Sequence, residues 1–86
     1  MKYRAIDLYE NPRGDLVFES DNLLSVLYAA EGHCIDTDDE CNIVIQTNTG
    51  VDLIAGNYYS EFTPAIELLQ GLYRAGIIKQ EDEKNE

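Results

Sequence analysis

Residues 42–55, NIVIQTNTGVDLIA, decide the fold, because they predict a complete β-hairpin. The first six of these residues are rich in β-branched side chains, which favour extended strands. Asn48-Thr49-Gly50 then predicts a turn, and the segment Val51–Ala55 returns as the partner strand. The segments on either side of this hairpin supply the rest of the fold.

The N-terminal segment predicts a second hairpin. Alternation places Ile6 and Leu8 on one face of its first strand and four residues on the opposite face, namely Tyr3, Ala5, Asp7 and Tyr9. Asn11-Pro12-Arg13-Gly14 is typical of a tight turn, since proline presets φ and glycine closes the turn. The chain then returns as a strand, and we expect Leu16 and Phe18 to point into the core.

One helix is predicted after each hairpin. We expect Ser20 or Asp21 to cap the first helix and Gly32 to end it. Its apolar residues recur at helical spacing: Leu23, Leu24, Leu27, Tyr28 and Ala30. Thr63-Pro64 predicts the start of the second helix, with threonine as the cap, and Gly76 its end. The following isoleucines predict a short edge strand or a hydrophobic contact.

The predicted order is therefore β-β-α-β-β-α. The simplest way to bury both apolar helix stripes is an antiparallel sheet with the two helices on one face. This gives an α+β fold with a single domain over residues 1–79. Residues 80–86 are polar throughout, and we expect this tail to be frayed.

The charge distribution restricts the kind of partner. Between Arg13 and Arg74 the chain has no Lys or Arg, and its formal net charge is −11. Binding of DNA or RNA depends mainly on Lys and Arg that neutralise phosphates. The sequence therefore argues against direct nucleic-acid binding, and a surface this acidic would also be repelled by anionic lipids.

The N-terminus and the lack of a long apolar run indicate a cytoplasmic protein. The first residues are patterned as a strand rather than as a secretory signal, and no apolar run is long enough to cross a bilayer. Because disulfides are rare in the cytosol, we expect Cys34 and Cys41 to be free thiols. A disulfide between them is the open alternative.

No residue pattern supports catalysis, a metal or a cofactor. His33 and Cys34 are adjacent, but a nucleophile and its base generally meet through folding rather than through sequence adjacency. The acidic residues 36–40 lack the glycine and the final glutamate of an EF-hand loop. The cysteine and histidine spacings do not fit a structural zinc site. We therefore expect a protein that is not an enzyme.

The acidic residues predict an interaction surface. In an extended chain, Asp36, Asp38 and Glu40 would form a row of carboxylates on one face. Asp15 and Glu19 are expected on the outward face of the first hairpin, and Tyr58 and Tyr59 are candidate anchors in a loop. The full predicted partner-binding set is Asp7, Asp15, Glu19, Asp36, Asp38, Asp39, Glu40, Asp52, Tyr58 and Tyr59.

Two functional hypotheses follow. The first is a binding protein that occludes a basic, nucleic-acid-handling protein, with carboxylates in place of phosphates. In composition alone such a chain resembles phage inhibitors of restriction or CRISPR systems and toxin-neutralising proteins. The second is a small regulatory or structural module that self-associates through an open sheet face or edge, for example as a homodimer, and whose acidity serves only solubility.

Overall fold

The computed structural model describes residues 1–79 and contains one four-stranded antiparallel sheet. The predicted tail at residues 80–86 lies outside the described residues. The strand order is β2-β1-β3-β4, and the sequence-predicted order β-β-α-β-β-α is confirmed. The elements are β1 (Tyr3–Asp7), β2 (Asp15–Ser20), α1 (Leu23–Asp36), β3 (Ile43–Thr47), β4 (Asp52–Gly56), a 3-10 turn (Tyr59–Glu61) and α2 (Thr63–Arg74).

Both hairpin turns form as predicted, and each uses a glycine with positive φ. Gly14 has φ of 92°, and its N–H donates to the carbonyl oxygen of Asn11 at 2.7 Å. A β-carbon at Gly14 would also lie 2.3 Å from the side chain of Ile6, so the turn accepts no larger residue without rearrangement. Gly50 has φ of 91° and closes the second turn by donating to Thr47 at 3.0 Å.

The prediction that Leu16 and Phe18 both point into the core is wrong. Ala5 is fully buried, whereas Leu16 is 60% exposed and Phe18 is 40% exposed. The register explains the exposure of Leu16, because Ala5 shares a face with the buried residue Ile45, whereas Leu16 pairs with Ile6 on the opposite face. Phe18 pairs with Ala5 but lies on the edge strand β2, where it stays partly exposed. A bulge in β2 also brings Val17 against the core.

The first helix begins at a different cap and ends later than predicted. The side-chain oxygen of Asn22, rather than Ser20 or Asp21, accepts from the N–H groups of Leu24 and Ser25. Ser20 instead accepts from the Asn22 N–H at 2.9 Å. Gly32 lies inside α1, which continues for one further turn to Asp36.

The end of α1 is a Schellman motif in which aspartate occupies the position that usually holds glycine. The N–H of Asp39 donates to the carbonyl oxygen of Cys34 at 2.7 Å, and the N–H of Asp38 donates to Ile35 at 3.1 Å. Asp38 and Asp39 have φ of 55° and 65°, in the left-handed region. This reversal sends the chain back towards the start of β3.

The prediction of free thiols is wrong, because Cys34 and Cys41 form a disulfide. Their Cα atoms are 5.5 Å apart, although the two cysteines are seven positions apart in sequence. The extra turn of α1 carries Cys34 to the end of the helix, and the left-handed turn brings Cys41 back beside it. Both cysteines are buried, so the disulfide is part of the core.

The second helix follows its predicted start and end closely. Pro64 lies in the first turn, but Thr63 does not act as the cap, since its hydroxyl donates to Glu31 of α1 at 3.1 Å. Gly76 has φ of 74° and ends the helix. Ile77 is exposed and forms no strand. Both helices lie on one face of the sheet and complete a core that consists of Ala5, Val26, Leu27, Ala30, Cys34, Cys41, Ile43, Ile45, Phe62 and Ile66.

We predict that replacing both Cys34 and Cys41 by Ser lowers the free energy of unfolding by about 2.5 kcal/mol, because the disulfide restricts the unfolded chain over a short loop. Urea denaturation of the wild type and of the double variant measures the change. A difference below about 0.5 kcal/mol would show that the disulfide contributes little to stability. The wild type in reducing buffer provides a comparison without mutation.

Candidate functional site: the acidic end

The topology gathers acidic residues at one end of the molecule, which we call the acidic end. Strands β1 and β4 and helix α1 end there, while β2 and β3 begin there. The carboxylates on these termini and on the adjoining turns are Asp7, Glu10, Asp15, Asp36, Asp38, Asp39, Glu40 and Glu61. The sequence predicted six of these residues, namely all except Glu10 and Glu61.

Asp7 is the structural centre of the acidic end. One oxygen of its carboxylate accepts from the backbone N–H of Tyr9 at 2.9 Å and of Asn42 at 3.1 Å. The other oxygen pairs with Nε2 of His33 at 2.8 Å. Asp7 thereby joins the end of β1 to the chain entering β3 and to helix α1.

The pKa of Asp7 is lowered from its ordinary value. Burial alone would raise the pKa, because the side chain is only 15% exposed. The hydrogen bonds from the backbone of Tyr9, from His33 and from the backbone of Asn42, together with the charge of His33, outweigh that effect. Asp7 is therefore an anion held by three donors, and its carboxylate is largely unavailable to an external ligand.

His33 and Cys34 do not form a catalytic pair. His33 is bound to Asp7, and Cys34 is in the disulfide. No group of three or more His, Cys, Asp or Glu side chains within residues 1–79 is arranged to hold a metal ion.

An open cleft of about 590 Å³ lies beside the Asp7–His33 pair. Strand β2 and the end of α1 form its walls. Its polar and charged lining residues are Asp7, Tyr9, Glu10, Asp15, His33, Thr37 and Glu40. Asp7 is already bound by His33, but the other three carboxylates, Glu10, Asp15 and Glu40, suit the cleft to a cationic group rather than to an anion.

The predicted row of extended carboxylates does not exist. Asp36 lies on α1, and Asp38 and Asp39 turn the chain back in the left-handed conformation. The carboxylate of Asp39 accepts from the backbone N–H of Tyr59 at 3.1 Å. The turn at residues 37–40 therefore packs against the segment that carries Tyr58 and Tyr59, and both tyrosines are exposed.

Two predicted site residues lie away from the acidic end. Glu19 approaches the Arg4 guanidinium at 4.0 Å, and the carboxylate of Asp52 accepts from Gln46 at 2.9 Å. Arg4 and Gln46 are register partners on neighbouring strands, so these residues form one polar row across the other half of the sheet. The predicted set thus divides into eight residues at the acidic end and two elsewhere.

Sequence reasoning missed Glu10, Glu61 and the role of His33. Glu61 stabilises the loop before α2, since its carboxylate accepts from the N–H groups of Asn57 and Tyr58 at 2.5 Å and 3.1 Å. The signal available for Glu61 was its position three residues after Tyr58, a spacing typical of helix capping. The pairing of His33 with Asp7 spans 26 residues, and no local pattern predicts it.

The cations are distributed unequally. At the acidic end only Arg13, in the β1–β2 turn, is positively charged among the Lys and Arg residues of the described chain. Lys2 pairs with Asp21 at 3.6 Å and Arg4 lies near Glu19, both at the opposite end of the sheet. The molecule is therefore polarised along its strands.

Comparisons with protein-family models, with curated proteins and with solved structures gave no match. Within the described residues, no helix is both long and apolar enough to cross a membrane.

We predict that Asp7 makes the stability of this protein depend on pH. Because its pKa is lowered in the folded state, the unfolded state binds more protons in acid. The contribution of Asp7 is fully present above the unfolded value of about 3.9, and it is lost as the pH falls through the lower folded-state pKa. The variant Asp7→Asn should therefore be less stable than the wild type at pH 7, and the difference should shrink at pH 3.

Urea denaturation at pH 7, 5, 4 and 3 measures this dependence. Asp36→Asn is the matched control, because Asp36 is an exposed carboxylate at the same end of the molecule. An Asp7→Asn variant whose stability changes with pH as steeply as that of the wild type would contradict the role assigned to Asp7.

Proposed function

We propose that this protein is a non-catalytic binding protein whose acidic end occludes the basic site of a protein partner, one that handles nucleic acid. The observation that carries the proposal is the convergence of eight carboxylates on one end, from β1, β2, α1, the 3-10 turn and two connecting turns. Within the described chain, Arg13 is the only Lys or Arg at this end. Acidic residues placed only for solubility would be interspersed with cations over the surface.

The geometry of the acidic end supports recognition of Arg and Lys side chains. The cleft beside Asp7 and His33 is open to solvent and bordered by Glu10, Asp15 and Glu40. A guanidinium or ammonium group entering it would meet carboxylates on both walls, and charge-assisted hydrogen bonds of this kind are the stronger ones. The concentrated negative field would also accelerate encounter with a basic protein.

The exposed pair Tyr58 and Tyr59 supports a contact that is not purely electrostatic. Tyrosine offers apolar area and a polar tip, and it is enriched at the centres of interfaces. Both tyrosines adjoin the turn at residues 37–40 through the Asp39–Tyr59 hydrogen bond. Charged and aromatic side chains are therefore adjacent. The charges would attract a basic partner, and the tyrosines would stabilise the complex once it has formed.

The proposed mechanism depends on charge density rather than on a regular spacing of carboxylates. The turn at residues 37–40 is compact, so it does not reproduce an extended row of phosphates. The acidic end would block a nucleic-acid-binding partner in two ways. It would neutralise the partner's Arg and Lys side chains, and it would occupy the groove in which nucleic acid normally binds.

The disulfide is relevant to the cellular location in which the protein would meet such a partner. The cytoplasmic location expected from the sequence stays a prediction, and the Cys34–Cys41 disulfide weighs against it, since disulfides form and persist in oxidising compartments. We propose that the protein acts in such a compartment or outside the cell.

We predict that neutralising the acidic turn weakens binding to a basic protein. The variant Asp36→Asn, Asp38→Asn, Asp39→Asn, Glu40→Gln removes four negative charges from the acidic end. In a competition assay, wild-type protein should displace a fluorescent DNA duplex from purified basic DNA-binding domains at 50 mM salt. The quadruple variant should need at least about tenfold more protein for the same displacement.

The matched control carries the same change of charge outside the acidic end: Glu19→Gln, Asp21→Asn, Asp52→Asn and Glu67→Gln. It should displace the duplex almost as well as the wild type. Equal loss in both quadruple variants would mean that net charge, rather than the acidic end, determines binding. Failure of the wild type to displace DNA from any basic domain tested would contradict the proposal.

We also predict that the thiols of Cys34 and Cys41 are oxidised in the native setting. Rapid alkylation of cells or culture medium in acid, followed by mass spectrometry of the intact chain, distinguishes the disulfide from two alkylated thiols. Recovery of the chain with both cysteines alkylated would place it in a reducing compartment and refute this part of the proposal.

A further inference from the structure

The face of the sheet that points away from the helices carries an apolar row, and we call it the open face. Register pairs run from Leu16 to Ile6, from Ile6 to Val44, and from Val44 to Ala55, so the row crosses all four strands. The opposite face, with Ala5 and Ile45, forms the core. The polar row of Glu19, Arg4, Gln46 and Asp52 lies beside the apolar row on the open face, and the helices cover only the other face of the sheet.

The outer part of this row is accessible. Leu16 is 60% exposed, and Ala55 and the neighbouring residue Leu53 are exposed as well. Val44, in the centre of the row between its register partners Ile6 and Ala55, is only 9% exposed. A contact surface with an apolar centre and exposed apolar sides is typical of protein interfaces rather than of an isolated surface residue.

The edges of the sheet are less suited to association than its face. Strand β2 has a register shift opposite Ala5 and Ile6, and β4 has one opposite Ile45 and Gln46. Bulges on edge strands interrupt the hydrogen-bonding row and discourage pairing with another chain. Both edge strands of this sheet are protected in this way, whereas its open face is not.

Charge identifies the occupant that suits the open face. A chain with a net charge of −11 repels its own copies, so two copies should meet where the negative charge is lowest. The open face comes nearest to this condition, because Lys2 and Arg4 lie at one end of it beside Asp21, Glu19 and Asp52, which leaves one uncompensated negative charge. A basic heterologous partner would find its complement at the acidic end instead.

The same charges select one arrangement of the two copies. A two-fold axis that runs along the apolar row, across the strands, reverses the strand direction of the second copy. The end that carries Lys2 and Arg4 then lies over the acidic end of the other copy, and the two rows face each other at the usual sheet spacing of about 10 Å. An axis parallel to the strands would place the two acidic ends together.

The size of the face sets the expected strength. Four strands about 4.8 Å apart and five residues long give a footprint of roughly 19 by 17 Å. This is small beside the ~800 Å² per partner of a standard interface, so the association should be weak and depend on concentration.

We propose that the open face is a homodimer interface in which two copies pack sheet against sheet with antiparallel strands, through the row Leu16, Ile6, Val44 and Ala55. The proposal does not depend on the function assigned to the acidic end. In this arrangement the acidic ends of the two copies point in opposite directions.

Sedimentation equilibrium of the purified chain between 10 µM and 1 mM, at 0.15 M and 0.5 M NaCl, tests the proposal. The wild type should dimerise reversibly at both salt concentrations, because apolar contact carries the association. The double variant Leu16→Ser, Leu53→Ser should weaken dimerisation at least about tenfold, since four Leu side chains leave the interface of each dimer.

The control Leu68→Ser, Ile35→Ser changes two similarly exposed apolar residues on the helices, at 64% and 52% exposure. It should dimerise like the wild type. A monomer at 1 mM, or a dimer weakened equally by both double variants, would overturn the proposal. Circular dichroism melting of each variant confirms that the fold is intact before the comparison is made.

Discussion

The carboxylate of Asp7 is the interaction on which the rest of the acidic end depends. It lies at the same end as seven other carboxylates, and burial opposes its ionised form. Three donors from separate segments reverse that preference: the backbone of Tyr9, the backbone of Asn42 and the ring of His33. The carboxylate therefore stays ionised because the end of β1, the residue before β3 and helix α1 all supply donors to it. Its hydrogen bonds in turn hold these three segments together.

The turn between α1 and β3 shows the same relation between charge and constraint. Two consecutive aspartates in the left-handed conformation are unfavourable by roughly 1–2 kcal/mol each, and their like charges add repulsion. The Schellman hydrogen bonds, the Asp39–Tyr59 contact and the Cys34–Cys41 disulfide keep the chain in this shape. A charged segment that is constrained in this way is suited to an interaction surface that is ordered before a partner binds, rather than to one that folds on binding.

Local sequence signals determined the order of the elements, and long-range register determined the rest. The turns at Gly14 and Gly50 and the end of α2 at Gly76 follow from conformations that favour glycine, so the sequence predicts them well. The inward face of β1 does not follow, because both alternating sets contain apolar residues. Only the pairing of Ala5 with Ile45 decides between them.

The candidate site was predictable in composition but not in arrangement. The absence of Lys and Arg from residues 14–73 is visible in the sequence, and so is the cluster at residues 36–40. The compact form of this cluster depends on helix α1 continuing for another turn beyond Gly32. The sequence did not predict this extra turn, because glycine usually marks the end of a helix. The same extra turn brings Cys34 to Cys41 and His33 to Asp7. Because the helix was predicted to end at Gly32, neither the disulfide nor the His33–Asp7 hydrogen bond could be predicted.

The polarity of the molecule connects its two proposed surfaces. The carboxylates lie mainly at the ends of β1 and α1 and at the start of β2. Lys2 and Arg4 lie at the opposite end of the sheet, where the open face is nearly neutral. Repulsion between copies is then least on the open face, while attraction for a basic partner is greatest at the acidic end. Sheet-to-sheet association of antiparallel copies would cover Leu16 on one wall of the cleft and leave the opposite wall, with His33, Thr37 and Glu40, free. The two contacts are therefore compatible, and a dimer would present two acidic ends to a partner with two basic sites, which raises the effective affinity without any new contact.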